Sequence, residues 1–120
     1  MAMRGVRGAT MLAKDSADEM AEAVIELLTQ IMARNDIAAT DFISILFTAT
    51  PDLSSAFPAA AVRTMPLVDV PLICAQEIDV AGAPARVVRL LAHVESDLSK
   101  NEISHVYLRG AEVLRQDLTQ

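Results

Sequence analysis

The stretch SADEMAEAVIELLTQIMARN, residues 16–35, is the clearest helix in this chain. It opens on Ser16-Ala-Asp-Glu19, a capping box whose hydroxyl and carboxylate can each satisfy an N–H that the first turn leaves unpaired. Met20, Val24, Leu27, Leu28, Ile31 and Met32 follow at three- and four-residue spacing, which draws one apolar stripe along the helix. Asp18, Glu19, Glu22 and Glu26 sit in the N-terminal half, where the helix dipole favours acids, and the acidic stretch from Asp15 to Glu26 reads as a solvated face. Asn35 reads as the C-terminal cap.

The segments on either side read as strands. Residues 3–8 form a first strand, and because a strand alternates faces, Arg7 points away from the apolar Val6. DFISILFTAT, residues 41–50, is a β-rich apolar run ended by Pro51-Asp52. Pro58 starts a short helix through Arg63, a position a first turn tolerates. Residues 72–78 (LICAQEI) and 86–94 (RVVRLLAHV) read as strands separated by a turn at Gly82 and Pro84, and a last strand runs from His105 to Leu114. The order is strand, helix, strand, short helix, three strands: an α+β fold with one dominant helix. Without repeats, low-complexity tracts or a linker, residues 1–120 read as a single domain. One helix covers only one face of five strands, so the other face is expected to be buried by partner subunits.

Composition agrees with an oligomer. The chain is 52% hydrophobic but only 3% aromatic, so its core must be aliphatic. A mean hydropathy of +0.34 suggests that some apolar surface enters an interface. No run approaches the ~20 apolar residues of a membrane span, and the N-terminus lacks the apolar stretch of a signal peptide. The lone Cys74 cannot form an internal disulfide, and a cytoplasmic location is the expectation. The net charge of −6 argues against a nucleic-acid partner. The positive charge present is mostly arginine, eight Arg against Lys14 and Lys100. Arginine grips carboxylates bidentately and stays charged, which suits a small carboxylate ligand. The codon bias of a GC-rich genome would give the same enrichment.

Taken singly, the polar residues in apolar segments have ordinary readings. Arg89 would sit on a solvated strand face, and Glu77 would be a surface carboxylate. Tyr107, the only Tyr, would be half-buried packing, and Cys74 a small core residue. His93 and His105 carry no assigned chemistry.

Together, six segments change those readings: residues 4–10 (RGVRGAT), 49–53 (ATPDL), 57–59 (FPA) with 61–63 (AVR), 74–77 (CAQE) with Asp79-Val80, 105–108 (HVYL), and 113–115 (VLR) with Asp117-Leu118. In order and spacing the chain resembles the small, monofunctional, trimeric α+β class of chorismate mutase. The resemblance implies a mixed five-stranded sheet assembling as a trimeric pseudo-α/β-barrel, with active sites in clefts between subunits and no cofactor or metal. It implies that chorismate is rearranged to prephenate, in phenylalanine and tyrosine biosynthesis. Arg89 is then expected at the ether oxygen and a carboxylate, and Arg7 at a side-chain carboxylate with Tyr107. Glu77 is expected at the ring hydroxyl with Cys74 close by. Phe57, Ala59, Ile73 and Leu114 would line the site. Arg63 and Arg115 would stand at its mouth, beneath a C-terminal tail containing Asp117 and Leu118. Phe57 and Arg63 are expected from a different subunit than Arg7 and Arg89. Ala60 departs from the family, which often has Lys there; if that Lys holds a carboxylate, affinity is expected to be lower.

Two other functions fit a trimeric scaffold of this type. One is an imine or enamine hydrolase using a single Arg in an intersubunit cleft. The other is a non-catalytic trimer that binds a dicarboxylate. A hydrolase needs a positioned water and an acid or base, whereas the Claisen rearrangement needs neither.

Overall fold

In the computed structural model, which describes residues 1–67 and 69–115, the helix read from residues 16–35 is α1, Ala17–Asn35. Ser16 caps it by accepting a hydrogen bond from the Glu19 N–H at 3.3 Å. The reciprocal half of the box is not made. The Glu19 carboxylate reaches past Ser16 to accept from the N–H groups of Ala13 and Lys14. Asn35 is not the C-terminal cap either. Asp36, at φ 52°, takes the left-handed position that ends the helix. Asn35 remains helical and buried. Its Nδ2 donates to the carbonyls of Ile31 and Ser104 at 3.0 and 2.9 Å, and its Oδ1 accepts from the Ser104 N–H at 2.7 Å.

The strands are β1 (Ala2–Met11), β2 (Phe42–Ala49), β3 (Leu72–Gln76), β4 (Val87–Ser96) and β5 (Val106–Tyr107). A short helix α2 (Pro58–Val62) lies between β2 and β3. They form one mixed sheet in the order β3-β2-β4-β1-β5, with β4 antiparallel to both neighbours and the two outer pairs parallel. The expected last strand stops at Tyr107. Arg109 and Gly110 both adopt positive φ, 54° and 91°, which a strand cannot continue through, and a 3-10 turn follows at Ala111–Arg115.

Alternation assigns the two faces. Val6, Gly8, Val88, Leu90, Ala92, Ile45 and Phe47 face α1, whose buried stripe is Met20, Ala23, Val24, Leu27, Leu28 and Ile31. Each fully buried aliphatic side chain there contributes roughly 1.5–3 kcal/mol. Gly8 sets the closeness of approach: a Cβ at this position would stand 2.9 Å from Ile31 Cδ1 and 3.2 Å from Leu27 Cδ1. A register shift between Phe42 and Ser44 returns Phe42 to the buried side, opposite Val94. The opposite face has no helix over it. Leu46, Leu91 and Ile73 are all more than a third exposed there. No helix of the described residues is long and apolar enough to cross a membrane.

Two polar clamps tie the loops to this frame. Arg109 donates to Glu26 at 3.0 Å and pairs with Glu22 and Glu19 at 3.6 and 4.0 Å. The hydrogen bond to Glu26 is the main reason its guanidinium is pushed above its ordinary pKa. Part of the acidic face of α1 is therefore an ion-pair seat rather than merely solvated. Asp15 accepts from the backbone N–H of Ser54 and Ser55 and from the Ser54 hydroxyl, each at 3.1 Å. Burial pushes the Asp15 carboxyl up, but these hydrogen bonds outweigh it and hold the group below its ordinary 3.8.

Two tests follow from these contacts. Asn35→Ala strands the buried partners of one amide and should cost about 2–3 kcal/mol in equilibrium urea unfolding. Asn35→Asp should cost at least as much at neutral pH, because a carboxylate would face the carbonyls of Ile31 and Ser104. For Asp15 the folded-state pKa is depressed, so its contribution is present above 3.8 and lost as pH falls through the lower folded value. The gap in urea midpoint between the parent and Asp15→Asn should be widest near neutrality and close in acid. A gap constant with pH would show that the charge of Asp15 contributes nothing.

Candidate active site

The bare face of the sheet carries Arg7, Arg89 and Tyr107. Thr48 pairs in register with Arg89, Arg89 with Ala9, and Ala9 with Tyr107, so a single row crosses β2, β4, β1 and β5. The neighbouring row is Ile73, Leu46, Leu91 and Arg7. Ala9, fully buried, keeps the middle of the first row shallow between Arg89 and Tyr107. Arg7, Leu46, Thr48, Arg89, Leu91 and Tyr107 together line a hollow of about 200 Å³.

Glu77 joins this cluster from just beyond β3. Its N–H donates to the Ala49 carbonyl at 2.9 Å, continuing the β2–β3 ladder by one bond. Its Oε2 accepts from the Thr48 hydroxyl, and its Oε1 lies 3.7 Å from Arg89 Nε. The Arg89 side chain is 44% exposed, so its charge is held at the surface of the hollow rather than sealed inside. Arg7 differs: its Nε is buried and has no hydrogen-bond partner among the described residues. A buried guanidinium donor without an acceptor costs free energy that an anionic ligand would recover. The Arg7 backbone N–H donates to His105 Nδ1 at 3.0 Å, which makes His105 a strap between β1 and the start of β5. His93 Nδ1 lies 3.1 Å from the Ser44 hydroxyl.

A second hollow, about 370 Å³, lies at the β3 edge of the sheet and includes Ala49, Thr50, residues 53–58, Cys74 and Gln76 among its walls. Phe57 stands over it 73% exposed, while the Asp15 clamp holds the adjoining Ser54 and Ser55. Cys74 pairs with the buried Phe47 and packs against the core, so within one chain it does not share the hollow lined by Arg7, Arg89 and Tyr107. Ala59 is half-buried on α2, and Arg63, exposed, ends that helix. Ile73 is 63% exposed on the bare face. Leu114 is half-buried in the 3-10 turn. The Arg115 side chain, Asp117 and Leu118 lie outside the described residues. Among the described residues no three His, Cys, Asp or Glu side chains are grouped to hold a metal ion.

Of the residues expected at the site, the structure gathers Arg7, Arg89, Tyr107 and Glu77 from four separate segments. It sets Phe57 and Cys74 apart in the second hollow. Thr48 was not anticipated. Its signal was available in FISILFTAT, where alternation puts it on the same face as Leu46 and opposite to Phe47.

Comparison with known proteins agrees along the whole chain. Residues 3–118 match the family described as chorismate mutase type I. The chorismate mutase AroH of Bacillus subtilis is 39% identical over 120 residues, which span 99% of this chain and 94% of that protein. The chorismate mutase AroH of Thermus thermophilus is 40% identical over 117 residues, 97% of this chain and 96% of that one. A solved structure of the chorismate mutase from Clostridium thermocellum is 42% identical and superposes with a TM-score of 0.89, covering 92% of this chain and 98% of that chain. With the family match spanning residues 3–118 and relatives about 40% identical over nearly the whole chain, this chain belongs to the chorismate mutase type I family.

Proposed function

We propose that this chain is an isomerase that rearranges chorismate to prephenate, and that Arg89, Glu77 and Arg7 carry the reaction. The observation that supports these roles is the convergence of two guanidiniums and one phenol on a single hollow, with the Glu77 carboxylate beside one of the guanidiniums. Chorismate presents two carboxylates, a ring hydroxyl and an enol ether. Its Claisen rearrangement forms a C–C bond as the ether C–O bond breaks, with no proton, hydride or nucleophile exchanged. A protein accelerates such a step by holding the compact conformer and stabilising the charge that separates across the breaking bond.

Arg89 is the group for the ether oxygen, where negative charge grows, because a cation there gains more in the transition state than in the ground state. Arg7, whose Nε has no partner among the described residues, takes a carboxylate alongside Tyr107. Glu77 accepts from the ring hydroxyl while remaining beside Arg89. Such a set needs no metal and no cofactor.

The same reading makes the enzyme a cytoplasmic homotrimer. The bare sheet face, with Leu46, Leu91 and Ile73 exposed, supports burial by neighbouring subunits. The separation of the two hollows supports a composite site in which Phe57, Ala59, Arg63 and Cys74 of one subunit meet Arg7, Arg89 and Tyr107 of another. Ile73 and Leu114 complete its walls. The hydrolase and the non-catalytic binding trimer have no observation in their favour beyond the shared architecture.

Purified protein should convert chorismate to prephenate without added metal or nucleotide and equally well with a chelator, followed by loss of chorismate absorbance. Arg89→Ala should lower kcat by about a thousandfold, the cost of one charged, preorganised donor. A loss within about tenfold would remove Arg89 from the breaking bond. Mixing inactive Arg63→Ala and Arg89→Ala chains, with exchange of subunits verified, should restore part of the activity; no recovery would rule out a shared site.

A further inference from the structure

We propose that Thr48 is a positioning residue of this active site, acting through Glu77; the inference rests on the mutase reading above. Two independent features of the structure meet at Thr48. The first is register. Thr48 and Arg89 are directly paired across β2 and β4, so hydroxyl and guanidinium leave the sheet side by side on the bare face. Side chains so paired stand roughly 5 Å apart at Cβ, which is close enough to share one carboxylate. The second is how Glu77 divides its two oxygens. Oε2 accepts the Thr48 hydroxyl, while Oε1 faces Arg89 Nε at 3.7 Å, beyond ordinary hydrogen-bond length.

Glu77 needs such a fix because its backbone offers little. It lies one residue past the end of β3, tied by the single bond from its N–H to the Ala49 carbonyl. The residues that follow stand in solvent, with Ile78 85% and Val80 58% exposed. Without the Thr48 hydroxyl, the carboxylate is free to swing onto the neighbouring guanidinium and close a bidentate pair, the preferred geometry of Arg with a carboxylate. That pair would consume the donors Arg89 must present to the substrate. Thr48 holds one carboxylate oxygen back, which leaves Glu77 near enough to orient Arg89 and leaves Arg89 open to the ether oxygen.

Thr48→Val is the decisive change, since it keeps the shape, the branching and the strand preference and removes only the hydroxyl. It should lower kcat for chorismate by about tenfold with a smaller effect on KM. Thr48→Ser, which keeps the hydroxyl, should recover most of that loss. In a Glu77→Ala background, Thr48→Val should add no further loss, because the group it acts through is gone. Circular dichroism and urea midpoints establish that each variant is folded. Parent-like kcat in Thr48→Val, or a further tenfold loss on top of Glu77→Ala, overturns the proposal. A parent protein that binds but does not convert chorismate overturns the mutase reading and this role together, and is seen before any variant is made.

Discussion

The seat of one helix on one face of the sheet is the constraint from which the other features follow. The apolar stripe of α1 is buried from Met20 to Ile31, where the helix meets β1, β5 and α2. Gly8 allows that seat to be close, because any side chain there would meet Ile31 and Leu27. A chain with a single long helix has nothing left to cover the second face. On that face strand alternation sends out Arg7, Arg89 and Thr48 together with Leu46 and Leu91. The same geometric fact therefore creates both the apolar surface that calls for neighbours and the polar row that calls for a ligand.

The electrostatics of the hollow run against those of the molecule. The chain is acidic, with a net charge of −6, and α1 carries much of that excess on its outer face. Arg109 neutralises part of it by bridging Glu19, Glu22 and Glu26, and so anchors the turn that follows β5. On the opposite side of the sheet two guanidiniums stand against one carboxylate. The Arg7 Nε is buried without a partner among the described residues, a cost that an anion bound there would offset. On the reading proposed here, a substrate carboxylate supplies that anion to Arg7, while Arg89 faces the ether oxygen where negative charge develops.

The misreadings of the sequence each have a local cause. The last strand was expected to reach Leu114 because its hydrophobic residues continue, yet Arg109 and Gly110 take positive φ and turn the chain into a 3-10 segment. The capping box at Ser16 is only half made, since Glu19 finds better donors in the loop leading into the helix. Asn35 has the composition of a cap but is used as a buried bridge to Ser104, and Asp36 takes the left-handed position instead. Glu19 was claimed by the loop just before its helix, and Asn35 by a partner distant in sequence.

Periodicity alone determined the α+β class, the dominant helix, the face that helix buries and the side of β1 on which Arg7 lies. These are local consequences of a 3.6-residue and a 2-residue repeat meeting water. Arg89, Tyr107 and Glu77 drew attention only through their resemblance to a known family, because one arginine in an apolar strand looks like any solvated one. Only the tertiary structure could set Thr48 opposite Arg89 and bring Glu77 between them. Strand order and register between segments some 30 to 100 residues apart decide those contacts, and no repeat within a single segment encodes them.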